Sequence, residues 1–348
     1  MRRKLLSLLV SMTLAAVPLT VCAGKVEAAT NQKVANKSGA VKKQAKKQVK
    51  KQLASSTKKS VPVKKFVKST SKSKKQVAEV AHKPLHRVSL DDDPGRLAIQ
   101  SSAAVVIDQT TGKVLVEKHS DAVVPIASIT KLMTAMVVLD ASLDLHEVIA
   151  ISAEDIDDLK GSRSRLPVGA TMTRETAMLL ALMSSENRAA NALGRHYPGG
   201  LRAFVQAMNR KAKSLGMHDS HFEEPTGLSS NNVSTAHDLA RMVAAAARYP
   251  EIRNYSTTAE AKLELNGRIQ NFNNTNALVR SDNWQIGLSK TGYISEAGRC
   301  LVMQAWVADK PVVIVLLDSQ GKMTRVGDAN RIKRWMESAS LTSTVKPT

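Results

Sequence analysis

The chain of 348 residues predicts an α+β fold: an antiparallel sheet of about five strands, flanked by helices and carrying a mostly helical lobe. Three observations point there. Strand-like segments bound the apolar-rich part of the chain and helix-like segments fill its middle. The last strands are joined by turns too short for a crossover, so neighbours must run antiparallel. An amphipathic helical segment closes the pattern.

The elements follow in order. Residues 103–108 form an apolar strand, Gln109-Thr110-Thr111-Gly112 turns it, and 113–118 run back as a hairpin. Residues 132–139 are apolar without Gly or Pro and read as a buried helix ending near Asp140, with Pro125 suiting its approach. A short strand at 148–151 precedes a polar stretch, 155–169, punctuated by Gly161, Pro167 and Gly169. Helices follow at 174–182, around 189–193, at 201–215 and at 235–247, with breaks at 184–187 and Pro198-Gly199-Gly200. Strand character returns at 261–265 before Asn266-Gly267, a hairpin signal. Strands at 287–293, 299–307 and 311–317 precede a helix over 326–337, with Ile332, Trp335 and Met336 inward. The expected organisation is a signal peptide at 1–29, a Lys-rich tail at 30–95, a globular domain at 96–340 with its helical lobe at about 152–250, and a C-terminal tail at 341–348.

Formal net charge is +21, unevenly spread. Residues 1–95 hold 22 Lys/Arg against 5 Asp/Glu, and the remainder 29 against 25. The basicity therefore belongs to the tail and says little about the globular chemistry. Arg2-Arg3-Lys4, an apolar run to Val21, and small residues at Ala23 or Ala28 read as a secretory signal, placing the protein in the periplasm or outside the cell. From 30 to 87 there are 17 Lys and one acidic residue, Glu79, too little apolar surface to offset chain entropy. An exported protein meets little nucleic acid, so that partner is not expected. The tail reads as a tether for anionic envelope polymers or lipid headgroups. Cys22 and Cys300 give no disulfide framework, and Cys300 reads as a buried apolar thiol. The eight histidines offer no metal-ligand spacing, His218 and His221 read as surface loop residues, and Glu223-Glu224 reads as solvent-facing. No cofactor is expected.

One stretch carries chemistry: Ser128-Ile129-Thr130-Lys131. Residues three apart on a helix share a face, so a hydroxyl and an amine would sit together near a helix N-terminus. Four such spacings occur in the tail (Ser55/Lys58, Ser56/Lys59, Ser69/Lys72, Ser71/Lys74), where no core holds them. Ser185-Glu186-Asn187 lies at a break between helices. Ser281-Asp282-Asn283 competes with it, but stands in the lead-in to the strand of Lys290-Thr291-Gly292 and cannot form the opposite wall of a cleft. A lysine and a hydroxyl on one strand suit a carboxylate, and Gly292 would let a substrate backbone approach.

In the order Ser-x-x-Lys, Ser-x-Asn, Lys-Thr-Gly, these motifs resemble those of penicillin-binding proteins and serine β-lactamases over about residues 99–338. Pro125-Ile126-Ala127-Ser128-Ile129-Thr130-Lys131-Leu132-Met133-Thr134 and the Asn274-Thr275-Asn276 turn are similar to the low-molecular-mass D-alanyl-D-alanine carboxypeptidases and endopeptidases. The resemblance implies a β-lactamase/transpeptidase-like fold, peptidoglycan stem peptides as substrates and β-lactam antibiotics as inhibitors. It implies Ser128 as nucleophile and Lys131 as general base, its amine made neutral by burial and by a second cation, Lys290. Ser185 would relay a proton, Asn187 would place Lys131 and the substrate amide, and Lys290 and Thr291 would hold a carboxylate. The N–H groups of Ser128 and Tyr293 would hold the oxyanion. No carboxylate falls at a place to activate a deacylating water, which disfavours β-lactam hydrolysis. About 55 residues follow Lys-Thr-Gly, fewer than the β-rich domain and anchor of membrane-attached carboxypeptidases need, which resembles the endopeptidase branch. Carboxypeptidase, β-lactam hydrolase and a catalytically silent envelope-binding protein remain the alternatives.

A chain lacking residues 30–87 is expected to co-sediment with cell-wall material and anionic vesicles less than the full mature chain does at low salt. Equal sedimentation would remove the tether.

Overall fold

A computed structural model describes residues 97–344 apart from Asn266. The expected signal peptide, the Lys-rich tail, Asn266 of the hairpin signal and residues 345–348 lie outside the described residues.

The sheet is five-stranded and antiparallel throughout. Its edge is a hairpin, β1 (Ala103–Asp108) and β2 (Val114–Lys118), turned at Gly112 with φ +72°. The chain then passes a two-residue strand, β3 (Val124–Pro125), and enters α1 (Thr130–Asp140) through a 3-10 turn, Ala127–Ile129. Short strands β4 (Val148–Ala150) and β5 (Thr171–Thr173) pair with each other and bracket the polar stretch. The helical middle follows: α2 (Arg174–Met183), α3 (Asn187–Arg195) and α4 (Gly200–Ser214). Thr173 starts α2 by accepting the Thr176 N–H, as its position before an apolar-periodic run predicts. A further two-residue strand, β6 (Val233–Ser234), pairs with β3. Helices α5 (Ala236–Ala246) and α6 (Pro250–Thr257) lead to a separate hairpin, β7 (Glu260–Leu265) and β8 (Arg268–Asn273). The chain returns to the main sheet as β9 (Gln285–Ile294), β10 (Gly298–Val307) and β11 (Lys310–Ser319), and ends in α7 (Thr324–Thr344).

Spatial order is β2-β1-β11-β10-β9, so the last strand slots in beside the first. The sheet is covered on both faces. Along β11, Val313, Val315 and Leu317 point into the helical side, while Val312, Ile314 and Leu316 face α7 through Ala329, Ile332 and Met336. Burial on both faces is why this strand reads as an unbroken apolar run although its sheet is antiparallel.

The order strands, helices, strands, helix is as the sequence predicts, and three things differ. The pattern missed α6, whose start is a Pro at its first position with Glu251 in the first turn; its eight residues offer too little apolar periodicity. The expected lobe of about 152–250 includes α5, yet α5 lies against β1, β10 and β11 and so belongs to the sheet's inner layer. The terminal helix runs through Thr344, into the span expected as a tail.

Entry and exit of the domain are clamped together. Asp328 of α7, fully buried, accepts the N–H of Gln100 at 2.9 Å, the N–H of Ser101 at 2.7 Å and Ser101 Oγ at 2.6 Å, and pairs with Arg331. Among the described residues no helix is long and apolar enough to cross a membrane.

Leu316 is fully buried on the α7 face, away from the helical side. Leu316→Ala is expected to cost about 2–5 kcal/mol, read as a lower denaturation midpoint. Covalent labelling of Ser128 should be kept below the melting transition.

Candidate active site

Ser128 sits in the 3-10 turn that opens α1, half-buried, one turn before the Lys131 side chain. Its neighbour Ala127 has φ +49°, an unfavourable left-handed conformation for a residue with a Cβ. Ser185, in the link between α2 and α3, has φ +62°. Left-handed backbone thus stands beside Ser128 and at Ser185.

These elements and β9 enclose a cleft of about 530 Å³ lined by Ser128, Ser185, Asn187, Thr291, Gly292 and Tyr293, all six expected from the sequence. The two expected lysines lie beneath its floor. Lys131 is 0% and Lys290 1% exposed. Lys131 Nζ lies 2.9 Å from Ser128 Oγ, 2.7 Å from Asn187 Oδ1 and 2.6 Å from the Thr226 carbonyl. Lys290 Nζ donates to Ser185 Oγ at 3.0 Å and to the Thr291 carbonyl at 2.9 Å. Asn187 donates from Nδ2 to Ser162 Oγ at 2.8 Å, which fixes the amide with its oxygen toward Lys131.

Burial pushes the Lys131 amine down to about 7, against the pull of Glu224, Glu186 and Asp157. Lys290 is also held well below its ordinary range, first by burial and then by the Lys131 charge. A charge on either lysine disfavours a charge on the other, and the carboxylates of Glu224, Glu186 and Asp157 work against this at Lys131. As an ammonium, Lys131 has three N–H donors for three acceptors. As an amine, it keeps two N–H bonds, to Asn187 and Thr226, and turns a lone pair to the Ser128 hydroxyl. That is the geometry of a base for Ser128.

Gly292 has a packing reason as well. A Cβ there would lie 2.9 Å from the Ile126 carbonyl oxygen and 3.1 Å from Ser128 N. The missing side chain lets β9 press against the turn that bears Ser128. Thr291 Oγ1 hydrogen-bonds Thr275 Oγ1 at 2.7 Å, and the Thr275 N–H donates to the Met183 carbonyl at 3.1 Å. The Asn274-Thr275-Asn276 turn therefore ties β9 to the end of α2.

The competitor Ser281-Asp282-Asn283 is rejected: Ser281 and Asn283 line another cavity, with Trp284 and the α7 residues Asn330 and Lys333. Cys300 is buried, its thiol pushed up to about 11 by burial. His218 and His221 are exposed as expected. Glu223 is exposed, but Glu224 is not solvent-facing as read; it is half-buried, with its carboxylate accepting the N–H groups of Thr226 and Gly227. Among the described residues one group of metal-ligating types converges, Glu117, Asp121 and His237, and none of it lines the cleft.

Sequence reasoning missed several parts. Thr226 acts through its backbone carbonyl, which no residue type announces. Ser162 and Lys160 come from the polar stretch, and Lys160 pairs with Glu296 at the cleft's edge, holding that carboxyl down to about 2. Arg325, at the start of α7, lines the cleft and donates to the carbonyls of Gly292 at 3.0 Å and Cys300 at 2.9 Å. Its distance in sequence from every motif hid it.

Comparison with known proteins agrees with this geometry. A family profile described as D-alanyl-D-alanine carboxypeptidase matches residues 89–321. A D-alanyl-D-alanine endopeptidase of Pseudomonas aeruginosa is 49% identical over 252 residues, 72% of this chain and 81% of that protein. One of Escherichia coli is 49% identical over 245 residues, 70% and 79%. Among solved structures, the Streptomyces K15 DD-transpeptidase is 28% identical with a TM-score of 0.65, covering 69% of this chain and 98% of that one.

Acylation of Ser128 by a labelled penicillin is expected to rise with pH through about 7 and then level off, since only the neutral Lys131 amine accepts the serine proton. Lys131→Arg should abolish labelling at every pH, because a guanidinium stays protonated. A rate independent of pH would exclude Lys131 as the base.

Proposed function

The chain belongs to the D-alanyl-D-alanine carboxypeptidase family of serine peptidases, and from that premise we propose that it is a D-alanyl-D-alanine endopeptidase that opens peptidoglycan cross-links through a Ser128 acyl-enzyme. The observation that carries the reading is the Lys131 amine, buried and within 2.9 Å of Ser128 Oγ.

The steps follow from the contacts. Neutral Lys131 takes the Ser128 proton as Oγ attacks the carbonyl of a D-alanyl residue. The N–H groups of Ser128 and Tyr293 receive the oxyanion. The C–N bond then breaks, and the leaving amine takes up the proton that Lys131 accepted, relayed by Ser185, to which Lys290 donates, so that Lys131 is neutral again. Water attacks the ester, giving its proton to Lys131, which returns it to Ser128 Oγ as the ester bond breaks. Asn187 keeps Lys131 aligned, while Thr291 and Arg325 line the wall that would receive a substrate carboxylate, with Lys290 beneath it. A β-lactam is taken by the same serine and leaves slowly, which makes it an inhibitor. The signal-like residues 1–29 support a periplasmic site of action, and the Lys-rich tail supports contact with anionic envelope polymers or lipid.

Purified cross-linked peptidoglycan is expected to lose its dimers to monomers with the terminal D-alanine retained, and Ser128→Ala to abolish both this and penicillin labelling. Release of D-alanine without loss of dimers would mean a carboxypeptidase. Rapid turnover of the penicillin would mean a β-lactam hydrolase, and no labelling of the wild type a silent envelope binder.

A further inference from the structure

The loop of residues 222–232 is closed at its ends by the bridge between His221 and Val233. At its centre is the carboxylate of Glu224. It accepts the N–H of Thr226 at 2.6 Å, of Gly227 at 2.6 Å and of Ser229 at 3.3 Å, and Asn232 Nδ2 at 3.1 Å. The loop is wound around that one side chain. From the loop, hydrogen bonds reach the segment bearing Ser128 and Lys131. The Thr226 carbonyl accepts Lys131 Nζ at 2.6 Å and the Pro225 carbonyl accepts Thr134 Oγ1 at 2.7 Å. Asn232, fully buried, donates from Nδ2 to Thr130 Oγ1 at 3.1 Å, and its carbonyl accepts the Ile126 N–H at 3.0 Å. Gly227, with φ +83°, comes so close that a Cβ would lie 1.9 Å from the Ala127 carbonyl oxygen. The loop thus backs the strained turn of the nucleophile, backbone against backbone.

We propose that Glu224 is a positioning residue of the reaction: it winds this loop so that the Thr226 carbonyl holds the Lys131 amine and Gly227 braces the Ser128 turn. The proposal rests on the roles given above to Ser128 and Lys131. A carboxylate suits the task because it offers acceptors to several N–H groups at once, and without it those donors are left unpaired in a part-buried loop. Its charge has a second effect. Lys131 is faced by Glu224 from this loop, by Glu186 at the start of α3, by Asp157 from the polar stretch, and by Lys290 of β9, behind which stands Arg325. Of the carboxylates that favour the charged amine, Glu224 acts most strongly. Removing its charge shifts Lys131 toward the neutral form at lower pH.

The test uses the full chain, a fluorescent penicillin and the rate of Ser128 labelling as a function of pH, with melting curves for each variant. Glu224→Ala is expected to label about 10²-fold more slowly at every pH, as a slack loop misplaces amine and hydroxyl. Glu224→Gln keeps an acceptor oxygen for Gly227, Ser229 and Asn232 and should recover most of the rate above neutrality, with the midpoint of the profile moved to lower pH. Wild-type rates and midpoints in both variants would overturn the proposal. So would an alanine loss no greater than its unfolded fraction together with an unmoved glutamine midpoint. If instead the wild type is not labelled at Ser128, the underlying reading fails, and this proposal with it.

Discussion

The burial of one amine governs the site. Lys131 is enclosed completely, and an ammonium in that position loses its hydration. Three acceptors and three nearby carboxylates offset the loss only in part, so the amine sits near neutrality, poised between its two forms. Every wall of the cleft supplies something to that balance. Thr226 comes from the loop before β6, Asn187 from α3, Ser128 from the turn before α1, and Lys290 from β9. No single element would hold the amine buried and aligned.

The fold provides this meeting by inserting helices between the first and last strands of one sheet. Strand β9 lies at the sheet's edge and is free on one side to form a cleft wall. Gly292 allows that strand to touch the turn that bears Ser128, so the cleft floor is packed at backbone distance. The left-handed residue Ala127 lies in this contact, and left-handed Ser185 lines the same cleft.

Much of this was legible in the residues. The order of strands and helices and the buried state of Cys300 follow from apolar patterning, while the meeting of the three motifs in one cleft is what the resemblance to a known family implies. What stayed hidden shares a physical cause. Thr226 contributes a carbonyl, which any residue could supply. Glu224 looks like a surface acid until its loop is closed around it. Arg325 is brought to the cleft by the sheet's topology rather than by its neighbours in sequence. The two-residue strands β3 and β6 are too short to show a period at all.

The clamp at Asp328 has a mechanical meaning. The chain entering the domain is gripped by hydrogen bonds to that carboxylate at Gln100 and Ser101, so a pull on the preceding segment is delivered to α7. One helical turn earlier on the same face, Arg325 holds the carbonyl of Gly292 at the cleft floor. The hold on the entering chain and the hold on the cleft floor thus stand a single turn apart on one helix.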